Sequence, residues 1–172
     1  MAVLCDWEIR ARCEKSYMVV PFDEKLLNPA SLDVLLGNHL MVESIYSTEL
    51  IRVDISHYTE EEPFRLEPSE FCLAETCELF NLPDDISAQF VLKSSRARSG
   101  YQHLLAGWCD PGWHNSKLTL ELKNVRSHHA IPLYPGLKIG QMVFHQMSNV
   151  PLNSYAKTGH YNGHLTVMPS VA

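Results

Sequence analysis

The segment from Phe90 to Asn124 constrains the fold more than any other part of the chain. It opens on a short apolar run, Phe90-Val91-Leu92, and continues into a basic, hydroxyl-rich segment, Lys93-Ser94-Ser95-Arg96-Ala97-Arg98, closed by Gly100. A turn, Asp110-Pro111-Gly112, leads on to Leu118-Thr119-Leu120-Glu121-Leu122. Period-two alternation puts Leu118, Leu120 and Leu122 on one face of a strand, and Thr119 and Glu121 on the other. A strand, a polar turn and a half-buried strand in quick succession point to β-structure.

The same pattern runs through the rest of the chain. Leu32, Val34 and Leu36 alternate, so residues 31–36 read as a strand ending at Gly37, with Asp33 on its opposite side. Residues 40–55 are rich in β-formers. Residues 64–80 read as one or two strands broken near Pro68-Ser69, and Leu82-Pro83-Asp84-Asp85 reads as a turn. Strands are expected at 131–133 and 139–144, around the turn Pro135-Gly136. Asp6 can cap a helix over about residues 7–15, with Trp7 and Ile9 on or near its buried side. From Pro151 onward the chain is polar and reads as irregular. Short strands punctuated by Pro and Gly argue for an all-β barrel or sandwich.

Length and composition limit the functional classes. A chain of 172 residues suits one domain, 1–172, and its 45% hydrophobic and 20% charged content is ordinary for a soluble globular protein. A net charge of −6 argues against a general nucleic-acid binder, which needs a broad basic face, but leaves room for a local nucleotide pocket. The first residues lack the basic and apolar regions of a secretory leader, and no apolar run approaches the roughly 18 residues of a membrane span. Five cysteines without a pairing framework suggest reduced thiols and a cytoplasmic setting. Glu60-Glu61-Glu62 reads as a solvated loop.

Two features carry chemistry. Ser94 or Ser95 can cap a short helix whose free N–H groups point outward, an anion site to which Lys93 and Arg98 add full charges. A solvated basic turn is the plain alternative, and the segment is not a Walker loop. Glu121, flanked by core leucines, points away from the core, where partial desolvation in a cleft between subunits would suit a carboxylate to proton transfer. The alternative is an ordinary surface glutamate. The His-x-Glu and Pro-Cys-x-x-Cys pattern of zinc deaminases does not occur. Cys72 and Cys77 are five residues apart and face opposite sides of a strand, so no zinc is expected.

Taken in order, several motifs resemble the dCTP deaminase family, within the wider dUTPase-like group of trimeric β-proteins. They are Leu4–Ile9, Asn28–Gly37, Lys93–Gly100, Ala106–Trp113, Leu118–Asn124, Pro135–Gln141 and Gly159–His164, and they span nearly the whole chain. The resemblance implies a distorted β-barrel or sandwich of the dUTPase-like (β-clip) type, with a short N-terminal helix and a short phosphate-binding helix. It implies metal-free hydrolysis of dCTP to dUTP and ammonia, with Glu121 as proton shuttle. Ser94 and the Ala106 carbonyl would hold the attacking water, and Arg98 would orient the carboxylate. Lys93, Ser94, Ser95 and Arg98, with Arg96 and Ala97 between them, would bind the triphosphate. Asp110 would contact the deoxyribose, and Thr119, Leu120 and Glu121 the base. Gln141, Tyr155, His160 and His164 would complete the pocket, with residues 151–172 as a tail closing over it. Mg²⁺ would arrive on the triphosphate, dTTP would be a feedback ligand, and the assembly would be a homotrimer.

The chain also departs from the family pattern. Lys93 stands where arginine is usual, which removes a bidentate grip. Leu105 replaces a common threonine, and His114-Asn115-Ser116-Lys117 is one residue longer than the usual hairpin. His160 replaces lysine, His164 replaces glutamine, and Tyr155 lies nearer His160 than usual. One branch of the family stops at dUTP, and another continues to dUMP and pyrophosphate. Ala106-Gly107-Trp108 looks more like the second. A pure dUTPase usually carries Asp-Ser-Asp after Ala-Gly. A catalytically silent nucleotide-binding regulatory trimer is the reading from a different class, and joint retention of Ser94, Arg98 and Glu121 argues against it.

Overall fold

A computed structural model describes residues 2–171. In chain order its elements are β1 (Ala2–Val3), α1 (Asp6–Ser16), β2 (Val19–Val20), a 3-10 turn (Glu24–Leu26), β3 (Leu27–Asn28), β4 (Ser31–Ser44), β5 (Ser47–Asp54), β6 (Phe64–Leu66), β7 (Phe71–Phe80) and β8 (Ile86–Leu92). Then follow α2 (Ser94–Arg98), β9 (Tyr101–His103), β10 (Trp108–Cys109), β11 (Ser116–Asn124), β12 (Ile131–Leu133), β13 (Lys138–Gln146) and α3 (Tyr155–Thr158). The main sheet runs β10-β8-β13-β4-β7-β11-β9, with β1 beside β13, β2 beside β7, and β3 and β5 beside β4. The β6–β12 pair stands apart. All pairings are antiparallel, and the sheet curls into a half-barrel, which confirms the expected all-β fold.

β4 is the strand that makes the curl possible. Its first part pairs with β13, Leu35 opposite Lys138, and its later part pairs with β7 and β5, Leu40 opposite Ala74 and Val53. The strand expected to stop at Gly37 runs through it. A Cβ added there would lie 2.6 Å from Glu75 Cγ and 3.0 Å from the Thr76 carbonyl oxygen. Gly37 is therefore a point of close approach between strands and not a stop.

The inner face of the curl is the core. Leu32, Leu36, Leu40, Leu120, Leu122 and Phe144 are essentially inaccessible, and each contributes about 1.5–3 kcal/mol through burial. β11 alternates buried and half-buried along its whole length, so the period-two reading of Leu118 to Leu122 holds. Two helix expectations change. In α1, Cys5 is the N-cap and Asp6 the first helical residue, with the Cys5 N–H donating to Glu8 Oε2 at 2.9 Å. Ile9 and Cys13, one turn apart, face the core, which leaves Trp7 64% exposed. In α2, Lys93 occupies the N-cap, so neither Ser94 nor Ser95 caps the helix.

Candidate active site

A recess of about 460 Å³ opens over the polar face of β11. It brings together Ala106, Asp110, Thr119, Glu121, Tyr155 and His164, residues spread over nearly sixty positions of sequence. Trp108, Trp113 and Leu73 add apolar wall. Thr119 and Glu121 reach it because alternate residues of β11 face away from the core. Ala106 reaches it because its loop turns sharply: Leu105 has φ 66°, unusual for a leucine, and is almost fully exposed. Gly107 follows, its carbonyl accepting from Phe90 N–H at 2.8 Å. Asp110 is oriented by Trp108 Nε1–H, which donates to Oδ1 at 3.0 Å. In the hairpin before β11, Asn115 takes the left-handed conformation (φ 50°) that asparagine tolerates. Its N–H donates to Asn81 Oδ1 at 2.9 Å.

The C-terminal segment lies against the recess. Trp113 Nε1–H and the Ser116 hydroxyl both donate to the Tyr161 carbonyl, at 3.0 and 2.9 Å. Lys117 N–H donates to the His164 carbonyl at 2.8 Å. Met168, Pro169 and Ser170 complete the lining. A short helix, α3, interrupts the segment that the sequence reads as irregular.

Glu75 anchors this segment, and the sequence reading missed it. Its side chain is fully buried. It accepts from Val167 N–H at 2.8 Å and from Lys117 Nζ at 3.0 Å, with His39 Nδ1 also at 3.0 Å. Burial pushes its carboxyl up, but the hydrogen bonds from His39, Lys117, Val167 and Thr166 outweigh burial and hold it below its ordinary value. Arg52 Nη2 donates to the Val167 carbonyl at 3.0 Å, clamping the segment from the other side. Only fold context could reveal this network, because its members lie on separate strands. Glu121 is half-exposed, and its Oε2 lies 3.2 Å from Nε2 of buried His103.

The cationic residues lie elsewhere. None of Lys93, Ser94, Ser95, Arg96, Ala97, Arg98 and Gln141 lines the recess. Ser94, Ser95, Ala97 and Arg98 are exposed on α2. Among the described residues, nothing hydrogen-bonds or ion-pairs with the Ser94 hydroxyl or the Arg98 guanidinium. Lys93 Nζ is held 2.7 Å from Oδ1 of buried Asp33, which also accepts from Asn28 Nδ2 at 2.9 Å. Arg96 Nε donates to the Lys138 carbonyl at 3.0 Å. Gln141 stands opposite Asp33 in the sheet and accepts from the Ser31 hydroxyl at 3.0 Å. His160 is exposed and outside the recess, and the Leu120 side chain is in the core. Among the described residues, no group of three or more His, Cys, Asp or Glu could hold a metal ion, and no helix is long and apolar enough to cross a membrane.

A strand-borne carboxylate in a recess, with an exposed arginine on the α2 helix, is equipment suited to an enzyme acting on a small anionic molecule. Comparison with known proteins narrows this. The dCTP deaminase-like family model matches residues 3–147. The "dCTP deaminase, dUMP-forming" of Tropheryma whipplei is 37% identical, over 89% of this chain and 82% of that protein. The protein of the same name from Rhodococcus opacus is 36% identical, over 99% of this chain and 96% of its own. The crystal structure of 2'-deoxycytidine 5'-triphosphate deaminase from Agrobacterium tumefaciens shares the fold, with a TM-score of 0.68 at 23% identity, over 83% of this chain and 48% of that one. The chain belongs to the dCTP deaminase-like family of enzymes.

Proposed function

We propose that this enzyme hydrolyses dCTP to dUTP and ammonia, and then dUTP to dUMP and pyrophosphate. The observation that carries the reading is the half-exposed Glu121 carboxylate in one recess with Ala106, Asp110 and Thr119. Water adds at C4 of the cytosine, N3 takes a proton, and the amine leaves as ammonia. Glu121 takes one proton from the water and passes it to N3, then takes the second from the new C4 hydroxyl as the carbonyl forms and passes it to the leaving amine. The Ala106 carbonyl and the Ser94 hydroxyl hold the water, Thr119 meets the base, and Asp110 meets the deoxyribose. Arg98 orients Glu121 and offsets developing charge. The substrate is the magnesium complex of the triphosphate, bound by Lys93, Ser95 and Arg98. The names of the relatives, dUMP-forming in both bacteria, support the second step.

Because α2 and Gln141 lie outside the recess, the reading places the α2 helix of one copy at the recess of another, in a homotrimer. An active monomer by light scattering would sink that part. The function itself is tested by following ammonia and pyrophosphate released from dCTP. Equal amounts of both are expected. Ammonia without pyrophosphate means the reaction stops at dUTP, pyrophosphate from dUTP alone means a dUTPase, and tight binding of dCTP or dTTP without either product means a regulatory protein.

A further inference from the structure

His103 stands beside Glu121 in a way the proposed chemistry does not use. It lies on β9 and pairs with Leu122 of β11, one position from Glu121. Its side chain is 5% exposed, and its ring centroid lies 4.7 Å from that of Phe90. Nε2 comes within 3.2 Å of Glu121 Oε2, yet the two are not aligned as a hydrogen bond, and neither atom has another partner among the described residues. Facing donor and acceptor atoms in a buried place cost free energy until they bond. A small turn of the flexible Glu121 side chain satisfies both.

We infer that His103 is a positioning residue for Glu121. Carrying its proton on Nε2, it donates to Oε2 and leaves Oε1 to take up and return the proton. The inference rests on the proton-shuttle role proposed for Glu121. Phe90 fixes the plane of the imidazole, and the β9–β11 pairing fixes its distance. With one oxygen tied, the other points in a single direction, which matters because misplacement of a reacting group by about 1 Å can cost about 10²-fold in rate.

Two variants separate the donor from the ring. His103→Phe keeps an aromatic ring against Phe90 and removes the donor, while His103→Gln puts an amide N–H near the position of Nε2. His103→Phe should lower kcat for ammonia release by about 10²-fold with KM for dCTP unchanged, and His103→Gln should recover most of kcat. A Phe variant as active as the parent, or a Gln variant as poor as the Phe variant, overturns the inference. Should the Phe variant fail to fold, the parent decides by nitrogen NMR. The imidazole signals of His103 should move when Glu121→Gln is introduced, and unmoved signals overturn the pairing. A parent that releases no ammonia from dCTP defeats the proposed function instead, and the NMR comparison still decides whether the pair exists.

Discussion

The recess and the α2 helix are built on opposite principles. The recess is walled by Trp108, Trp113 and the C-terminal segment, and its lysine, Lys117, is tied to buried Glu75. Helix α2 is a short exposed turn whose Ser94 and Arg98 side chains wait without partners among the described residues. The recess can orient a flat base and manage protons, but it offers little to a triphosphate. The helix can grip phosphate oxygens, but it encloses nothing. The difference separates catalytic rate from affinity: substitutions at the recess should act mainly on kcat, and substitutions on the helix should act on binding as well as on kcat, since Ser94 and Arg98 also reach the reacting centre in the proposed reading.

The largest expected effect tests the recess. Glu121→Gln keeps shape and hydrogen bonding but cannot move protons. General acid–base catalysis is worth about 10² to 10⁴-fold, and several successive transfers put this loss at or beyond the upper end. Ammonia release should nearly vanish while calorimetry finds dCTP binding little changed. Activity within tenfold of the parent would place the shuttle elsewhere. The complementary test is Arg98→Ala. A charge-assisted hydrogen bond contributes about 1.5–3 kcal/mol, so dCTP affinity should fall by up to about 10²-fold. Because Arg98 is exposed and has no partner among the described residues, the melting temperature should not move. Unchanged affinity would remove α2 from the binding site.

How much of this the sequence reveals depends on how local each feature is. The polar face of β11 is legible because alternation within five residues determines it. The Asp110-Pro111-Gly112 turn and the α2 segment are legible for the same reason. Gly37 misleads, because its constraint comes from Glu75 and Thr76 on another strand. Trp7 misleads because the spacing of Ile9 and Cys13, and not apolar size, chooses the buried face of α1. The N-cap of α2 is Lys93, one residue before the two serines whose side chains suit a cap. His103, Glu75 and Glu78 carry no local mark at all. Their contacts arise from the pairing of β4, β7, β9 and β11.

Glu75 and Glu78 extend the comparison into the core. They lie on one strand, β7, three residues apart, where its pairing with β11 shifts register between Glu75 and Leu79. Glu75 serves the recess side. Its carboxyl is held below the ordinary value of 4.5, so it stabilises the fold above that value, and this contribution is lost as pH falls through its lowered folded value. Acid should therefore release the C-terminal segment. Glu75→Gln should do the same at neutral pH, because the charge facing Lys117 and His39 is gone. The emission of Trp113, whose indole N–H meets Tyr161, should change, and KM for dCTP should rise by about tenfold. Unaltered emission with an unaltered KM would show that Glu75 does not hold this segment.

Glu78 lies outside the recess lining, and its expected effect is the smallest. Its side chain accepts the Leu35 N–H, at 3.1 and 3.2 Å, two residues along β4 from Asp33. Burial dominates, and its carboxyl is pushed up to about 7 from the ordinary 4.5. The sign is opposite to that of Glu75. Below pH 4.5 the group is protonated in both folded and unfolded chains and costs nothing. As pH rises, the unfolded chain ionises first, and stability is lost until the folded carboxyl ionises too, near 7. The parent should therefore melt several degrees lower at about pH 8 than at about pH 5. Glu78→Gln offers an amide oxygen to Leu35 N–H and has no proton to lose, so its melting temperature should change less over that range. Since Glu78 lines no part of the recess, kcat should be the same for both proteins at a fixed pH. Parallel melting curves would assign the pH dependence to other groups, and a fall in kcat would mean that Glu78 and the recess are not independent.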